Sequence, residues 1–230
     1  MLTGPQNLPS RLSAVRARID RAARDAGRDP SGIMLVAVSK TKPPELVREA
    51  AVYGVTEFGE NYVHEATGKM SGLEDLPIHW HFIGAVQSNK TREIATHFDW
   101  VHAIDRLKTA QRLSDQRPHH APPLNVCIQV ALVPESGKSG VAPSMACELA
   151  SRVAGLTRLR LRGLMCIPPP MTDAALQESR FRELAQLQAR LNGSGLALDT
   201  LSMGMSEDFE IAIRAGATIV RIGSAIFGAR

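Results

Sequence analysis

The chain has 230 residues, with 27 lysines and arginines against 23 acidic residues, a formal net charge of +4 and only 4% aromatic residues. No Lys/Arg run is dense enough to track a phosphate backbone and few rings could stack on bases, so composition argues against a nucleic-acid-binding class. No apolar run approaches a membrane span, Met1 to Ser10 lacks a leader's apolar segment, and Cys127, Cys147 and Cys166 lack metal or redox spacing, which predicts a cytoplasmic protein with reduced thiols.

The length suits one (β/α)8 barrel or one doubly wound sheet, so a single domain over residues 1–230 is expected. Leu12, Val15, Ile19, Ala22 and Ala26 recur at helical spacing and predict a helix over 10–27, with Ser10 as its cap and Gly27 as its stop. Five apolar residues in succession, Met34 to Val38, read as a strand buried on both faces, and Pro43-Pro44 end it and open a helix over 45–53. Strands follow at 55–58, 78–83, 100–104, 124–132, 162–167, 200–203 and 218–222. The intervening helices fall at 89–97, 106–116, 144–154, 173–191 and 207–215. Eight short apolar strands alternating with helices, without a break in composition, predict an α/β fold: a parallel (β/α)8 TIM barrel.

In such a barrel the carboxyl ends of the strands share one face, where sites are built. Lys40, Asn61, Gly84, Met165, Ser202 to Ser206 and Arg221 to Ser224 would gather there. Lys40 follows the buried strand over 34–38. At the edge of an apolar core an ammonium has its pKa lowered, and the neutral amine attacks aldehydes, so Lys40 is a candidate Schiff-base lysine; the bland alternative is a side chain reaching past the strand into water. The turns Ser202-Met-Gly-Met-Ser206 and Arg221-Ile-Gly-Ser224 follow the last two strands, the usual phosphate cradle of this fold. Ser206 with Glu207 and Asp208 reads equally as a helix cap and is left out of the cradle. Arg221, inside an apolar strand, requires a carboxylate or a ligand acceptor. Gly137-Lys138-Ser139 lacks the first glycine of a P-loop, and His79, His81 and His119-His120 lack a third metal ligand at recognised spacing, so no metal is expected.

Several stretches together resemble the pyridoxal phosphate homeostasis protein family: Ala37-Val-Ser-Lys-Thr-Lys-Pro43, Gly59-Glu-Asn-Tyr-Val63, Trp80-His-Phe-Ile-Gly84 with Gln87-Ser-Asn-Lys90, Arg162-Gly-Leu-Met165, Leu201-Ser-Met-Gly-Met-Ser206 and Val220-Arg-Ile-Gly-Ser-Ala-Ile-Phe-Gly228. The resemblance implies a barrel like the alanine racemase N-terminal domain, of the fold type III class. It also implies pyridoxal 5'-phosphate carried as an aldimine on Lys40 and not Lys42. It assigns phosphate contacts to Ser202, Gly223 and Ser224, Arg221 to the pyridine nitrogen, and Asn61 and Met165 to the cofactor's surroundings. Ala131 stands where the family often has asparagine, while Glu135, Lys138 and Gly140 match. An arginine at the ring nitrogen weakens the ring as an electron sink. Alanine racemase compensates with a tyrosine from an extra β domain, and with the sequence already at Arg230 after the eighth strand, no such domain is expected here.

The expectation is therefore a monomeric carrier that buffers the cofactor or delivers it to pyridoxal-phosphate-dependent apo-enzymes. The alternatives are an amino-acid racemase, with Tyr62, His81 or Cys166 as second base, and a barrel that binds a phosphorylated metabolite without covalent attachment.

Overall fold

A computed structural model describes residues 7–133, 139–169 and 171–228. Lys138, Glu135 and Gly137 fall outside them. Eight parallel strands close into a barrel in sequence order: β1 (Met34–Val38), β2 (Glu57–Glu60), β3 (His79–Phe82), β4 (Trp100–Ile104), β5 (Leu124–Gln129), β6 (Leu159–Met165), β7 (Thr200–Ser202) and β8 (Ile219–Ile222). The seam is made by β1 and β8, with Val36 opposite Arg221 and Ala37 opposite Ile222. The turns that follow these two strands therefore lie side by side.

The surrounding helices are α1 (Leu8–Asp25), α2 (Pro44–Val52), α3 (Val63–Met70), α4 (Thr91–His97), α5 (Leu107–Gln116), α6 (Ala146–Ala154), α7 (Ala174–Gly193), α8 (Phe209–Arg214) and the short α9 (Ser224–Phe227). None among the described residues is long and apolar enough to cross a membrane. Each turns an apolar stripe inward: in α1, Leu8, Leu12, Val15 and Ile19 are buried at three- and four-residue spacing. Asn7, not Ser10, caps this helix; its Oδ1 accepts the Ser10 N–H at 3.1 Å.

Two departures from the predicted elements bear on the site. β2 starts two residues later than expected, because Glu57 and Glu60 join the ladder opposite His79 and Phe82. Both carboxylates find partners inside the fold, which overrides their poor strand propensity. Helix α3 was not predicted. Its apolar spacing is confined to Val63, Ala66 and Met70, with Gly68 interrupting, but it buries Val63, Ala66 and the stem of Lys69 against the barrel.

Candidate functional site

At the carboxyl-terminal mouth lies a cavity of about 440 Å³, within the range of small-molecule sites. Lys40, Asn61, Ser206, Arg221, Gly223 and Ser224 line it, with Ile83, Ile167 and Met205 as apolar wall.

Lys40 is presented by a clamped turn. Ser39, fully buried, donates its hydroxyl to Glu60 Oε1 at 2.7 Å, and its backbone N–H bonds the Gly59 carbonyl at 3.0 Å. Lys69, 6% exposed, donates to the Ser39 carbonyl at 2.7 Å, to Glu60 Oε1 at 2.8 Å and to Glu65 Oε1 at 2.6 Å. Glu65 Oε1 in turn accepts the Thr41 N–H at 2.5 Å. Thr41 has φ +65°, a left-handed conformation that a β-branched residue adopts only under constraint. Helix α3 thus holds both sides of Lys40. Burial pushes the Glu60 carboxyl above its ordinary value, against the opposing hydrogen bonds from Lys69 and Ser39.

Opposite Lys40, Arg221 is 4% exposed and keeps its charge. Among the described residues its partners are the Ser202 hydroxyl (Nη1, 2.8 Å) and the Cys166 carbonyl (Nη2, 3.0 Å), and neither is the carboxylate that the sequence offered as one of two possibilities. Ser202 is fully buried, with its hydroxyl shared between Arg221 and His102 Nδ1 at 2.7 Å. It lies beneath Arg221, and it is not among the residues that line the cavity. Ser206, set aside as a cap, is on the wall instead. Its helix is held without it: Asp208 accepts the Met205 N–H at 2.6 Å on Oδ1 and the Gln177 amide at 2.6 Å on Oδ2. Burial raises the Asp208 carboxyl, opposed by the Met205 N–H and by the charge of Arg221.

The remaining predicted residues separate into two groups. Gly223 and Ser224 line the cavity, and a Cβ at Gly223 would come 3.2 Å from the Val38 carbonyl, so the β8 turn approaches the end of β1 closely. Asn61 lines it too, and its buried Oδ1 has no hydrogen-bond partner among the described residues. Gly84 packs so tightly on the Asn61 backbone that any side chain there would collide with the Asn61 carbonyl. Met165, in contrast, is fully buried and off the lining, a core residue at the end of β6. Ala131 lines a neighbouring cavity of about 320 Å³ that shares Asn61 and Ile83 with the first.

The three candidate second bases all lie off the main cavity's wall. Tyr62 is exposed and faces another hollow. Cys166 is buried, and burial pushes its thiol up to about 12. His81 is fully buried between Glu57 and His102. The residues that sequence reasoning missed are Glu57, Glu60, Glu65, Lys69 and His102. His102 and His81 carried a signal, as polar residues inside otherwise apolar strands.

Comparisons with known proteins agree with this architecture. The family model described as alanine racemase, N-terminal domain, matches residues 10–230. A pyridoxal phosphate homeostasis protein of Pseudomonas aeruginosa is 58% identical over 219 residues, covering 95% of this chain and 94% of that one. The Escherichia coli protein of the same name is 51% identical over 222 residues, covering 95% of each. PipY of Synechococcus elongatus, solved with PLP bound, has a TM-score of 0.86 at 35% identity and covers 96% of this chain and 100% of its own. Alanine racemase of Corynebacterium glutamicum, at 17% identity, shares the fold with a TM-score of 0.68, covering 95% of this chain and 61% of that one. A match that runs almost end to end at such identities leaves one conclusion: the chain belongs to the pyridoxal phosphate homeostasis protein family.

Proposed function

We propose that the chain holds pyridoxal 5'-phosphate at the carboxyl-terminal mouth of the barrel, attached to Lys40 as a Schiff base formed with loss of one water, and buffers or delivers it without strong catalysis of its own. The observation that carries this reading is the meeting, around one cavity, of a clamped lysine, a buried arginine and the glycine–serine turn after β8. The relatives named for pyridoxal phosphate homeostasis, and PipY with PLP bound, support the identity of the ligand.

The donor set fits that ligand. Lys40 supplies the amine for the aldehyde. Ser206, with the backbone and hydroxyl of Gly223-Ser224, supplies donors for a phosphate. Asn61 offers a buried polar group lacking a partner among the described residues. Arg221, a permanent donor on the cavity wall, would face the ring nitrogen of the bound cofactor and favour its unprotonated form. When bound, the cofactor supplies an aldehyde and an electron-withdrawing ring; this site keeps the ring a poor electron sink.

Carriage in preference to turnover is supported by Tyr62, His81 and Cys166, which all lie off the wall. In this reading one domain acts as a monomer in the cytoplasm, with pyridoxal-phosphate-dependent apo-enzymes as recipients. Incubation of the loaded protein with D- and L-amino acids in deuterated water tests it. The expected α-hydrogen exchange equals that of free cofactor; exchange well above that level marks an enzyme and overturns the carrier reading.

A further inference from the structure

Among the described residues, a continuous line of hydrogen bonds crosses the barrel interior. Arg221 Nη1 meets Ser202 Oγ at 2.8 Å, Ser202 Oγ meets His102 Nδ1 at 2.7 Å, His102 Nε2 meets His81 Nδ1 at 2.9 Å, and His81 Nε2 meets Glu57 Oε2 at 2.7 Å. The Ser202–His102 bond joins β7 to β4, two strands that are not neighbours, so it passes through the middle of the barrel. The upper end lies on the cavity wall. The lower end, Glu57, is the first residue of β2, at the opposite rim, with its side chain 18% exposed.

Barrel interiors are ordinarily filled by branched apolar side chains. Here one residue from each of five strands is polar, and with both imidazoles neutral the two ends of the line dictate the direction of every bond. The guanidinium only donates and a carboxylate only accepts. If His81 Nε2 carried no proton, two acceptors would face each other at 2.7 Å at the Glu57 end. So His81 carries its proton on Nε2 and accepts at Nδ1, and His102 carries its own on Nε2. The Ser202 hydroxyl then donates to His102 Nδ1 and accepts from Arg221. Both imidazoles are neutral in this order. Burial holds the His81 and His102 pKa values down, against the charges of Glu57 and Asp99 on His81, while His79 acts with burial on His81, and His81 and Arg221 act with it on His102. Trp100 stacks on His81 at 5.4 Å and fixes its ring plane.

The line also answers how a buried guanidinium is balanced. Among the described residues no carboxylate lies within ion-pair distance of Arg221; Asp208 acts on it from farther away. Through four hydrogen bonds the line joins Arg221 to the Glu57 carboxylate at the other rim.

We propose that Glu57, His81 and His102 are positioning residues that, through one proton-ordered line, fix the Ser202 hydroxyl and so the orientation and charge balance of Arg221 toward the ligand ring. This rests on the reading in which Arg221 faces the ring nitrogen of pyridoxal phosphate. Removal of the Glu57 acceptor would leave nothing to hold the proton on His81 Nε2 and would permit the reversed order, in which His102 Nδ1–H donates to the Ser202 hydroxyl.

The test has two arms. In ligand-free protein labelled with 15N-histidine, long-range proton–nitrogen correlation should find both His81 and His102 as Nε2–H tautomers at neutral pH, and a mixture of tautomers in Glu57→Ala. In protein loaded with pyridoxal phosphate labelled at the ring nitrogen, Glu57→Ala should displace the ring 15N resonance, which a merely structural role would leave in place. If Glu57→Ala does not fold, Glu57→Leu removes both the charge and the acceptor with less change of volume and is read the same way. An Nδ1–H tautomer at either histidine in the native protein, or an unmoved ring resonance in a folded Glu57 variant, overturns the proposal. A native protein that binds no pyridoxal phosphate defeats the proposed function alone, because the first arm still decides the proton order.

Discussion

Replacing Lys69 by methionine removes the cation that bonds Ser39, Glu60 and Glu65 in the clamp on the Lys40 turn. Glu60 is fully exposed to this loss: it is 0% accessible, its Oε1 keeps only the Ser39 hydroxyl at 2.7 Å, and Glu65 is left as a like charge nearby. The Ser39 carbonyl loses its Lys69 donor as well. Breaking a buried pair from one side costs about 3–5 kcal/mol, because the surviving charge stays buried. For a chain of this size each kcal/mol corresponds to about 2–4 °C, so the midpoint of thermal unfolding should fall by about 6–20 °C. The double variant Glu60→Gln/Lys69→Met should recover more than half of the loss, since the carboxamide needs no counter-charge. Circular dichroism melts of the native protein and both variants measure this. A loss below about 1 kcal/mol in the single variant, the size of an ordinary surface change, or a double variant no better than the single, would refute the reasoning. Because Lys69 also tethers Ser39 and, through Glu65, Thr41, the single variant should need more pyridoxal phosphate for half-saturation.

Acid should destabilise the protein through its buried imidazoles. His81 and His102 have lowered pKa values in the fold and titrate near 6.5 when unfolded, so stability is complete above that value and lost as pH falls below it. Two protons give at most about 2.7 kcal/mol per pH unit; Glu60 and Asp208, whose carboxyls burial raises, work in the opposite sense and reduce that slope. Urea midpoints between pH 7.5 and 5.5 check this, and a flat profile contradicts it. Gly84→Ala forces its Cβ against the Asn61 carbonyl; it should cost about 1–3 kcal/mol and weaken cofactor binding by moving Asn61, as melting and titration would show.

The barrel was legible because its strands are apolar runs and its helices follow stop signals. β4 has the predicted bounds, and β1, with five apolar residues in a row, is a strand buried over Val36, Ala37 and Val38, with Met34 and Leu35 half-buried. Lys40, Asn61, Arg221, Gly223 and Ser224 were also legible as strand-end residues, and the cavity does gather them. What sequence could not carry is reciprocity. Glu60 and Lys69 look like solvated charges until α3 folds over β2 and each becomes the other's partner. Ser202 and Ser206 occupy equivalent-looking places in one turn. Which of them faces the cavity depends on Arg221 and His102 reaching across from β8 and β4 to take the Ser202 hydroxyl. Met165 poses a related ambiguity: as the last residue of a strand it can face either the mouth or the core, and here it packs into the core.

The account turns on Lys40. Protein incubated with pyridoxal phosphate, reduced with borohydride and digested should yield one modified peptide by mass spectrometry, containing Lys40, and Lys40→Ala should lose both the adduct and the yellow absorption. An adduct on Lys42 or Lys69 in place of Lys40, or a Lys40→Ala protein that keeps its colour, would contradict it.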